Sequence, residues 1–248
     1  MSSTLTLYDI ASTVPGQAWS PNTAKARYAL NFKGVPHKTV FLEYLEIEPL
    51  CKKIGAKPTS ETAPHYTLPV LYDSSTDTAV SDSIEIARYL DATYPDLPRL
   101  IPAGTAALHY AFTDAHVATL DAFCVYALPA TLPILNVASQ DYFRRTREAM
   151  FGDQRLEDVP PTGDADVVMW NQVKDGLGQV DGWISKNGAD SKYVMGDTIC
   201  YADIVVAGWL RWARLVLAKE RWEDILTWHS GRWANLMKDL EKYETIRV

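Results

Sequence analysis

The chain has 248 residues, of which 47% are hydrophobic, enough to bury a substantial core in one large domain or two ordinary ones. Its formal net charge of -7 argues against a nucleic-acid partner, because phosphate binding gains from a basic surface. Cys51, Cys124 and Cys200 lack metal-ligand spacing and are odd in number, which argues against a disulfide framework. We therefore expect small-molecule or protein partners, no metal, and a reducing compartment.

The N-terminal sequence MSSTLTLYD lacks the basic patch and apolar core of a signal peptide. The most apolar candidate for a membrane span, residues 199–218, contains Asp203, Arg211 and Arg214, and each charge is costly in a bilayer. We expect a cytoplasmic protein without a membrane partner, and a buried helix in this region.

Residues 1–95 alternate between strand and helix patterns, which predicts an α/β domain. Alternating or β-favouring residues predict strands at 4–8, 37–42 and 68–72, and a fourth at 79–80. A helix is expected to start at Ser20, with Pro21 in its first turn, and to end at Gly34. Apolar spacing predicts two more helices, at 47–57 and from residue 82 onward.

Prolines at three positions between residues 94 and 104 block helix and strand, so we place a linker at 96–104. Residues 105–248 are predicted to form an all-helical domain, because no strand alternation persists there. The first long helix is marked by Leu108, Ala111, Ala115, Ala118 and Ala122, and one near the end by Trp222, Ile225, His229, Trp233 and Leu240. Residues 157–166 are predicted to be an exposed loop.

Four segments carry a family resemblance: SPNTAKARYALNFKGVPH, TLPVL, SDSIEIARYLDATYPD and GDTICYADIVVAGWL. Together with the order of elements, they resemble the soluble glutathione transferases over nearly the whole chain. Within that family the chain looks closest to the fungal and bacterial etherase-like classes, which place serine where omega-type enzymes place cysteine. The resemblance implies a thioredoxin-like N-terminal domain that binds glutathione and a helical domain that receives the second substrate.

Ser20 precedes Pro21 at a helix start, where serine commonly caps the helix without any chemical role. The family places its active hydroxyl or thiol at this junction, so the resemblance assigns Ser20 to the glutathione sulfur. The free N–H groups of a helix start favour an anion, and Ser20 would donate a hydrogen bond to the thiolate. Tyr8 is the alternative, because other classes use a tyrosine near the end of the first strand. It precedes Pro21 by thirteen residues, more than in those classes, which favours Ser20.

Further glutathione contacts are implied by the resemblance. Pro69 would follow a cis peptide bond, and the N–H and C=O of Val70 would pair with the cysteinyl backbone. Asp82 would bind the γ-glutamyl ammonium and Ser83 its carboxylate, although capping a helix explains both residues equally well. Lys57 would reach the glycyl carboxylate, although a solvated lysine is an equally good interpretation.

The second-substrate pocket is expected to be apolar and aromatic. Phe123, Tyr126, Trp209 and Trp212 fall on helices that flank the cleft in relatives, although aromatic residues mostly belong to the core. The family's C-terminal folding motif has serine or threonine three residues before its aspartate, where this chain has Cys200 and Asp203. A thiol is a weak acceptor, so we expect a poorer helix cap or one supplied by Thr198.

These residues favour a glutathione transferase that conjugates aromatic electrophiles or cleaves them with glutathione, β-aryl ethers included. A ligandin-type carrier of hydrophobic aromatics or phenolics with little turnover is the alternative, and fold alone cannot separate the two. A purely structural role, as in translation complexes, is disfavoured by the set Ser20, Pro69, Asp82 and Ser83. A homodimer is expected from the resemblance.

Overall fold

A four-stranded sheet organises the N-terminal part of the chain in the computed structural model, which describes residues 5–247. The strands are β1 (Leu5–Ile10), β2 (His37–Leu42), β3 (Val70–Asp73) and β4 (Thr78–Ser81), in the order β2-β1-β3-β4. Only the β1–β2 pair is parallel. Thr4, predicted to open the first strand, lies outside the described residues.

Three helices pack against this sheet: α1 (Pro21–Lys33), α2 (Tyr44–Lys53) and α3 (Ser83–Thr93). Helix α1 ends as predicted at Gly34, whose φ of 70° is left-handed and suits glycine. Helix α2 starts and ends earlier than the predicted 47–57. Its start is set by Glu43, whose backbone N–H donates to the Glu46 carboxylate at 2.8 Å. The thioredoxin-like arrangement is therefore confirmed.

The rest of the chain is helical, as predicted. Its helices are α4 (Ala106–Val117), α5 (Asp121–Thr131), α6 (Val137–Glu148), α7 (Asp164–Ile184), α8 (Tyr201–Val216) and α9 (Lys219–Leu240). Between α3 and α4 the chain passes through the proline-containing segment. Residues 157–166 hold a short 3-10 turn and the start of α7 besides a loop.

Two predicted helices are interrupted. The helix expected through Ala118 and Ala122 stops at Val117, because the Thr119 hydroxyl and N–H both turn back to the carbonyl of His116. Within α9 the backbone leaves the helical region at Trp228 and becomes left-handed from His229 to Gly231. Gly231 tolerates such φ values, but nothing else in the local sequence predicts the interruption of the helix.

Among residues 5–247, no single helix is long and apolar enough to cross a membrane. Helix α4 and residues 121–134 meet that length and composition only as a pair bent by 72°. The predicted buried helix at residues 199–218 is α8, most of whose residues are buried.

The start of α8 is closed by a capping box, in which the Cys200 sulfur accepts from the Asp203 N–H and the Asp203 carboxylate accepts from the Cys200 N–H. The buried Asp203 carboxylate accepts hydrogen bonds from the N–H groups of Cys200 and Val194, each at 2.8 Å. Thr198 is exposed and does not supply the expected cap. The polar groups at this helix start are satisfied without the usual serine or threonine.

Helix α8 fixes the start of α1. Gly208 permits the close approach, because a Cβ there would lie 2.8 Å from the carbonyl oxygen of Pro21. The buried Arg211 of the same helix donates to the carbonyl of Ala18 at 2.9 Å. The segment leading into α1 is thus held between the sheet and the helical part of the chain.

Candidate functional site

A cavity of about 570 Å³ opens where α1 and α2 face α5, α6 and α8. Ser20 lines it at the N-terminus of α1, next to Trp19. Trp19 is buried and packs against Phe143 and Trp212, with ring centroids 6.3 and 6.5 Å away. Residues from α6 and α8 therefore fix the position of Ser20 at the junction of the two halves.

The Ser20 hydroxyl is not used as a helix cap. Its side chain makes no capping hydrogen bond, whereas its carbonyl oxygen accepts from the Ala24 N–H at 3.0 Å and the Thr23 hydroxyl at 3.2 Å. The side chain of Ser20 therefore does not cap α1, although capping is the simplest interpretation of the Ser20–Pro21 sequence. The hydroxyl and the free N–H groups of the first turn remain available to an anionic ligand.

Tyr8 does not line this cavity. It lies within β1, opposite Val40 on one side and Val70 on the other. Burial raises the pKa of its phenol, so the ring behaves as a packed, neutral residue of the sheet. The geometry favours Ser20 over Tyr8.

The peptide bond between Leu68 and Pro69 is cis. Leu68, the residue before this bond, lines the cavity together with Thr67. Val70 is fully buried and pairs with Tyr8 of β1 and Ser81 of β4, so its backbone faces neighbouring strands. Val70, predicted to contact the cysteinyl backbone, does not line the cavity, whereas Leu68, the residue before the cis bond, does.

The lysine that faces the cavity is Lys52 of α2. Its ammonium group lies 2.6 Å from the Glu48 carboxylate, one helical turn earlier. Lys57, the residue predicted from the sequence, is exposed and outside the lining, and its carbonyl accepts a hydrogen bond from Ser81. The structure therefore brings Lys52, and not Lys57, to the cavity.

Asp82 and Ser83 line a second cavity, of about 320 Å³, together with Lys25. Asp82 caps α3 by accepting from the Ile84 N–H at 2.9 Å, and the Ser83 hydroxyl accepts from the Tyr201 hydroxyl at 2.9 Å. The proton of the Ser83 hydroxyl can still be donated to a ligand.

Lys25 is a member of this second cavity that sequence reasoning missed. It is only 5% exposed and makes no ion pair within residues 5–247. Burial lowers its pKa to about 8, against an opposing effect of the Asp82 charge. A buried cation beside a helix start can receive a carboxylate.

Of the four aromatic residues predicted for a second substrate, Trp209 and Trp212 line the main cavity. Phe123 lies behind them, with its ring centroid 5.4 Å from that of Trp212. Tyr126 is elsewhere: its hydroxyl donates to Asp166, and the Arg221 guanidinium lies 4.3 Å from its ring centroid. Asp166 and Arg221, far apart in the sequence, hold Tyr126 outside the site.

Sequence reasoning also missed Tyr44, Tyr142 and Arg147, which line the cavity from α2 and α6. The two tyrosine rings are stacked at 5.0 Å. Helix α2 is tied to α6 through Glu43, which accepts a hydrogen bond from Asn136 at 2.7 Å. Nothing in the local sequence indicates this contact, because it joins residues more than ninety positions apart.

Cys124 also lines the cavity, but it does not supply a nucleophile. Burial, with the Asp121 charge, raises the pKa of its thiol to about 11, so the thiol stays protonated at neutral pH. In the described part of the chain, no group of three or more His, Cys, Asp or Glu side chains is arranged to hold a metal ion.

A thioredoxin-like sheet with an open helix start, joined to a helical region that completes the cavity, is the arrangement of the glutathione transferase fold. Residues 19–93 match the family model for the glutathione S-transferase N-terminal domain, and residues 107–243 match the model for the C-terminal domain. The chain belongs to the glutathione S-transferase family.

Solved fungal structures resemble the chain over nearly its full length. The glutathione S-transferase CsGST63524 of Ceriporiopsis subvermispora, in complex with glutathione, is 45% identical, with a TM-score of 0.94 over 98% of this chain and 99% of that one. GSTFuA2 of Phanerochaete chrysosporium is 41% identical, with a TM-score of 0.89 over 99% and 100% of the two chains. The expected resemblance to fungal members of the family is thereby confirmed.

The chain is also similar in sequence to another fungal protein. The glutathione S-transferase-like protein ustS of Aspergillus flavus is 32% identical over 246 aligned residues, which cover 94% of this chain and 88% of that protein.

Proposed function

We propose that the protein binds glutathione across the two cavities and transfers it to hydrophobic aromatic electrophiles, or uses it to cleave them, with Ser20 donating a hydrogen bond to the thiolate. The observation that carries this proposal is the Ser20 hydroxyl, which lies in the cavity wall and caps nothing. The similar Ceriporiopsis protein, solved with glutathione, supports the choice of thiol.

The energetic demand on Ser20 is modest. A thiol with a pKa of about 8.5 is only a few per cent ionised at neutral pH, and lowering that pKa by one to two units takes roughly 1.4 to 2.7 kcal/mol. One charge-assisted hydrogen bond and the positive end of α1 supply this amount. Ser20 stabilises the thiolate and is not itself the nucleophile.

The tripeptide fits the spacing of the two cavities. Ser20 directly precedes α1 and Lys25 lies in it five positions later, about 7.5 Å along the helix axis, whereas an extended tripeptide spans about 10 Å. The γ-glutamyl ammonium binds Asp82, and its carboxylate binds Ser83 and Lys25. The backbone of Leu68, before cis-Pro69, binds the cysteinyl unit, and Lys52 binds the glycyl carboxylate.

The second substrate lies against Trp209, Trp212 and Tyr142, whose rings favour an aromatic acceptor. In the cleavage of a β-aryl ether, the C–S bond forms as the C–O bond breaks, and the aryloxide leaves with the electron pair and takes a proton from water. The same apolar lining also supports a carrier role. A carrier would bind phenolics stoichiometrically without turning over any electrophile.

A homodimer is part of this proposal, with the N-terminal domain of one subunit packed on the helical domain of the other. Leu108 on α4 is 66% exposed and offers apolar surface for such packing. Light scattering at micromolar concentration is expected to give twice the 27.7 kDa chain mass, whereas a 27.7 kDa particle contradicts the dimer.

The test is Ser20→Ala, with Ser20→Thr as the variant that keeps the hydroxyl. We expect kcat/KM of Ser20→Ala to fall by about 10- to 150-fold, the range for one charge-assisted hydrogen bond, with partial recovery in Ser20→Thr. Ultraviolet titration of the bound thiolate should show a higher pKa in Ser20→Ala. An unchanged thiol pKa and unchanged kcat/KM would remove Ser20 from the reaction.

A further inference from the structure

Arg147 projects a charge into the main cavity from α6. Its guanidinium carbon lies 4.9 Å from the ring centroid of Phe143 and 6.0 Å from that of Tyr44. One of its amino groups donates to the Thr146 hydroxyl at 2.9 Å. These contacts hold the guanidinium in place without neutralising it.

In the described part of the chain, the Arg147 charge has no counter-ion of its own. Of the other charged residues in the lining, Glu48 and Lys52 pair with each other at 2.6 Å. Arg147 makes no ion pair within residues 5–247, although Arg144, one turn earlier, is held by Glu148 and Glu157. The cavity therefore carries a net positive charge in a chain whose formal net charge is -7.

The tyrosine beside Arg147 does not compensate this charge. Burial raises the pKa of Tyr44 to about 12, so its phenol is neutral at physiological pH. A guanidinium has five N–H donors in a planar fork that suits a carboxylate. Arg147 uses one donor on the Thr146 hydroxyl and is also in hydrogen-bond contact with the Tyr44 hydroxyl, which leaves the other donors for a ligand. An anionic ligand group is the natural partner.

Arg147 is also connected to the reaction centre. Phe143, the ring beneath its guanidinium, lies 6.3 Å from Trp19, which directly precedes Ser20. An aromatic acceptor lying along these rings would direct its reactive carbon toward Ser20 and a substituent at its far end toward Arg147.

We propose that the acceptor class is aromatic electrophiles that carry a carboxylate, with the carboxylate bound by Arg147. This inference rests on the proposed transferase function and adds a specificity to it. The carboxylate forms a bidentate, charge-assisted pair with the guanidinium, and the ring packs on the aromatic lining.

Two probes of similar shape test the charge preference: 4-chloro-3-nitrobenzoate and its neutral analogue 4-chloro-3-nitrobenzamide. In each reaction the glutathione sulfur bonds to the carbon that bears chlorine, chloride leaves, and the thiol proton passes to water. After normalisation to the reaction without enzyme, wild-type protein should prefer the benzoate. Arg147→Leu should raise KM for the benzoate by about 10-fold or more, and for the benzamide and glutathione by less than about twofold.

Arg145→Leu is the matched control. Arg145 lies on the same helix with its guanidinium carbon 5.6 Å from the Tyr142 ring centroid, but it is exposed and outside the cavity lining. The same loss of charge there should leave both KM values unchanged. An equal rise for benzoate and benzamide in Arg147→Leu overturns the proposal, and so does a rise confined to glutathione.

Failure of the transferase function itself would look different, because neither probe would then be conjugated by wild-type protein. Quenching of tryptophan fluorescence by the unreactive 3-nitrobenzoate and 3-nitrobenzamide then decides the inference. Tighter binding of the benzoate that is lost in Arg147→Leu supports it, and equal affinities overturn it.

Discussion

The starts of α1 and α8 are both buried helix N-termini, but they differ in whether their polar groups are hydrogen-bonded within the chain. At α8 the first-turn N–H of Tyr201 donates to the Leu100 carbonyl at 2.7 Å, and the Asp203 N–H donates to the Cys200 sulfur. The Asp203 carboxylate in turn accepts from two further backbone N–H groups. At α1 the Ser20 hydroxyl caps nothing and opens on a cavity of about 570 Å³. A helix start closed by the chain's own acceptors serves stability, and one left open is available to an anionic ligand.

The start of helix α3 is both capped by the chain and part of a cavity wall. Asp82 caps the helix through the Ile84 N–H and also lines the second cavity, while Ser83 is engaged by Tyr201. Variants at the start of α8 should therefore change stability, and variants at the start of α1 should change the reaction. Variants at the start of α3 should change both stability and ligand binding.

Asp203→Ala should have the largest effect on stability. Removing the carboxylate leaves the N–H groups of Cys200 and Val194 without acceptors, and each such group costs about 1 to 3 kcal/mol. We expect the free energy of unfolding to fall by about 2 to 5 kcal/mol in denaturant titrations. Asp197→Ala, at an exposed position nearby, is the control and should change it little. A small effect of Asp203→Ala would mean that α8 does not depend on this cap.

The same carboxyl should also give a pH dependence. Burial raises the pKa of Asp203 to about 6, above its ordinary 3.8, although its hydrogen bonds oppose the shift. The folded state then holds this proton more tightly than the unfolded state, so the stabilisation is present below pH 3.8 and is lost as pH rises through 6. Relative to Asp203→Asn, wild-type stability should fall by about 2 kcal/mol between pH 4 and 7. Parallel curves would show that Asp203 has no raised pKa.

At α3, Asp82→Ala should weaken glutathione binding by roughly 1.5 to 3 kcal/mol in calorimetry, the value of a charge-assisted bond. It should also cost about 1 kcal/mol of stability, because the cap is lost. Asp82→Asn sharpens the test, since asparagine tolerates the φ of 76° and keeps an oxygen for the Ile84 N–H. Binding should weaken in Asp82→Asn while stability stays close to wild type. Unchanged affinity in both variants would remove Asp82 from the site.

Local signals predicted the parts of the fold that depend on local chemistry. The residue pattern predicts the second strand at 37–42, where β2 lies, and Ser20, Pro21 and Gly34 mark the ends of α1. These features follow from alternation, proline at a first turn and glycine at a helix end, which act over a few residues. The resemblance added the expectation of a cis bond before Pro69, which the structure has.

Features that depend on distant contacts were not predictable. Whether Leu68 or Val70 faces the cavity depends on how β3 pairs with two other strands. Tyr126 is drawn away by Asp166 and Arg221, and Arg147 enters the cavity because α6 packs against α2. Sequence spacing on one helix carries no information about such partners.

The distinction between a closed and an open helix start is tested most directly by mass spectrometry of Ser20→Cys after incubation with glutathione disulfide. A cysteine at the open start of α1 should have a lowered pKa, attack the disulfide, form a mixed disulfide and release one glutathione. We expect glutathione attached at position 20, with reduced conjugating activity, because a thiol is a poor donor to the thiolate. A variant that keeps full activity and acquires no adduct would show that Ser20 is structural, and Tyr8 would then be the residue to test.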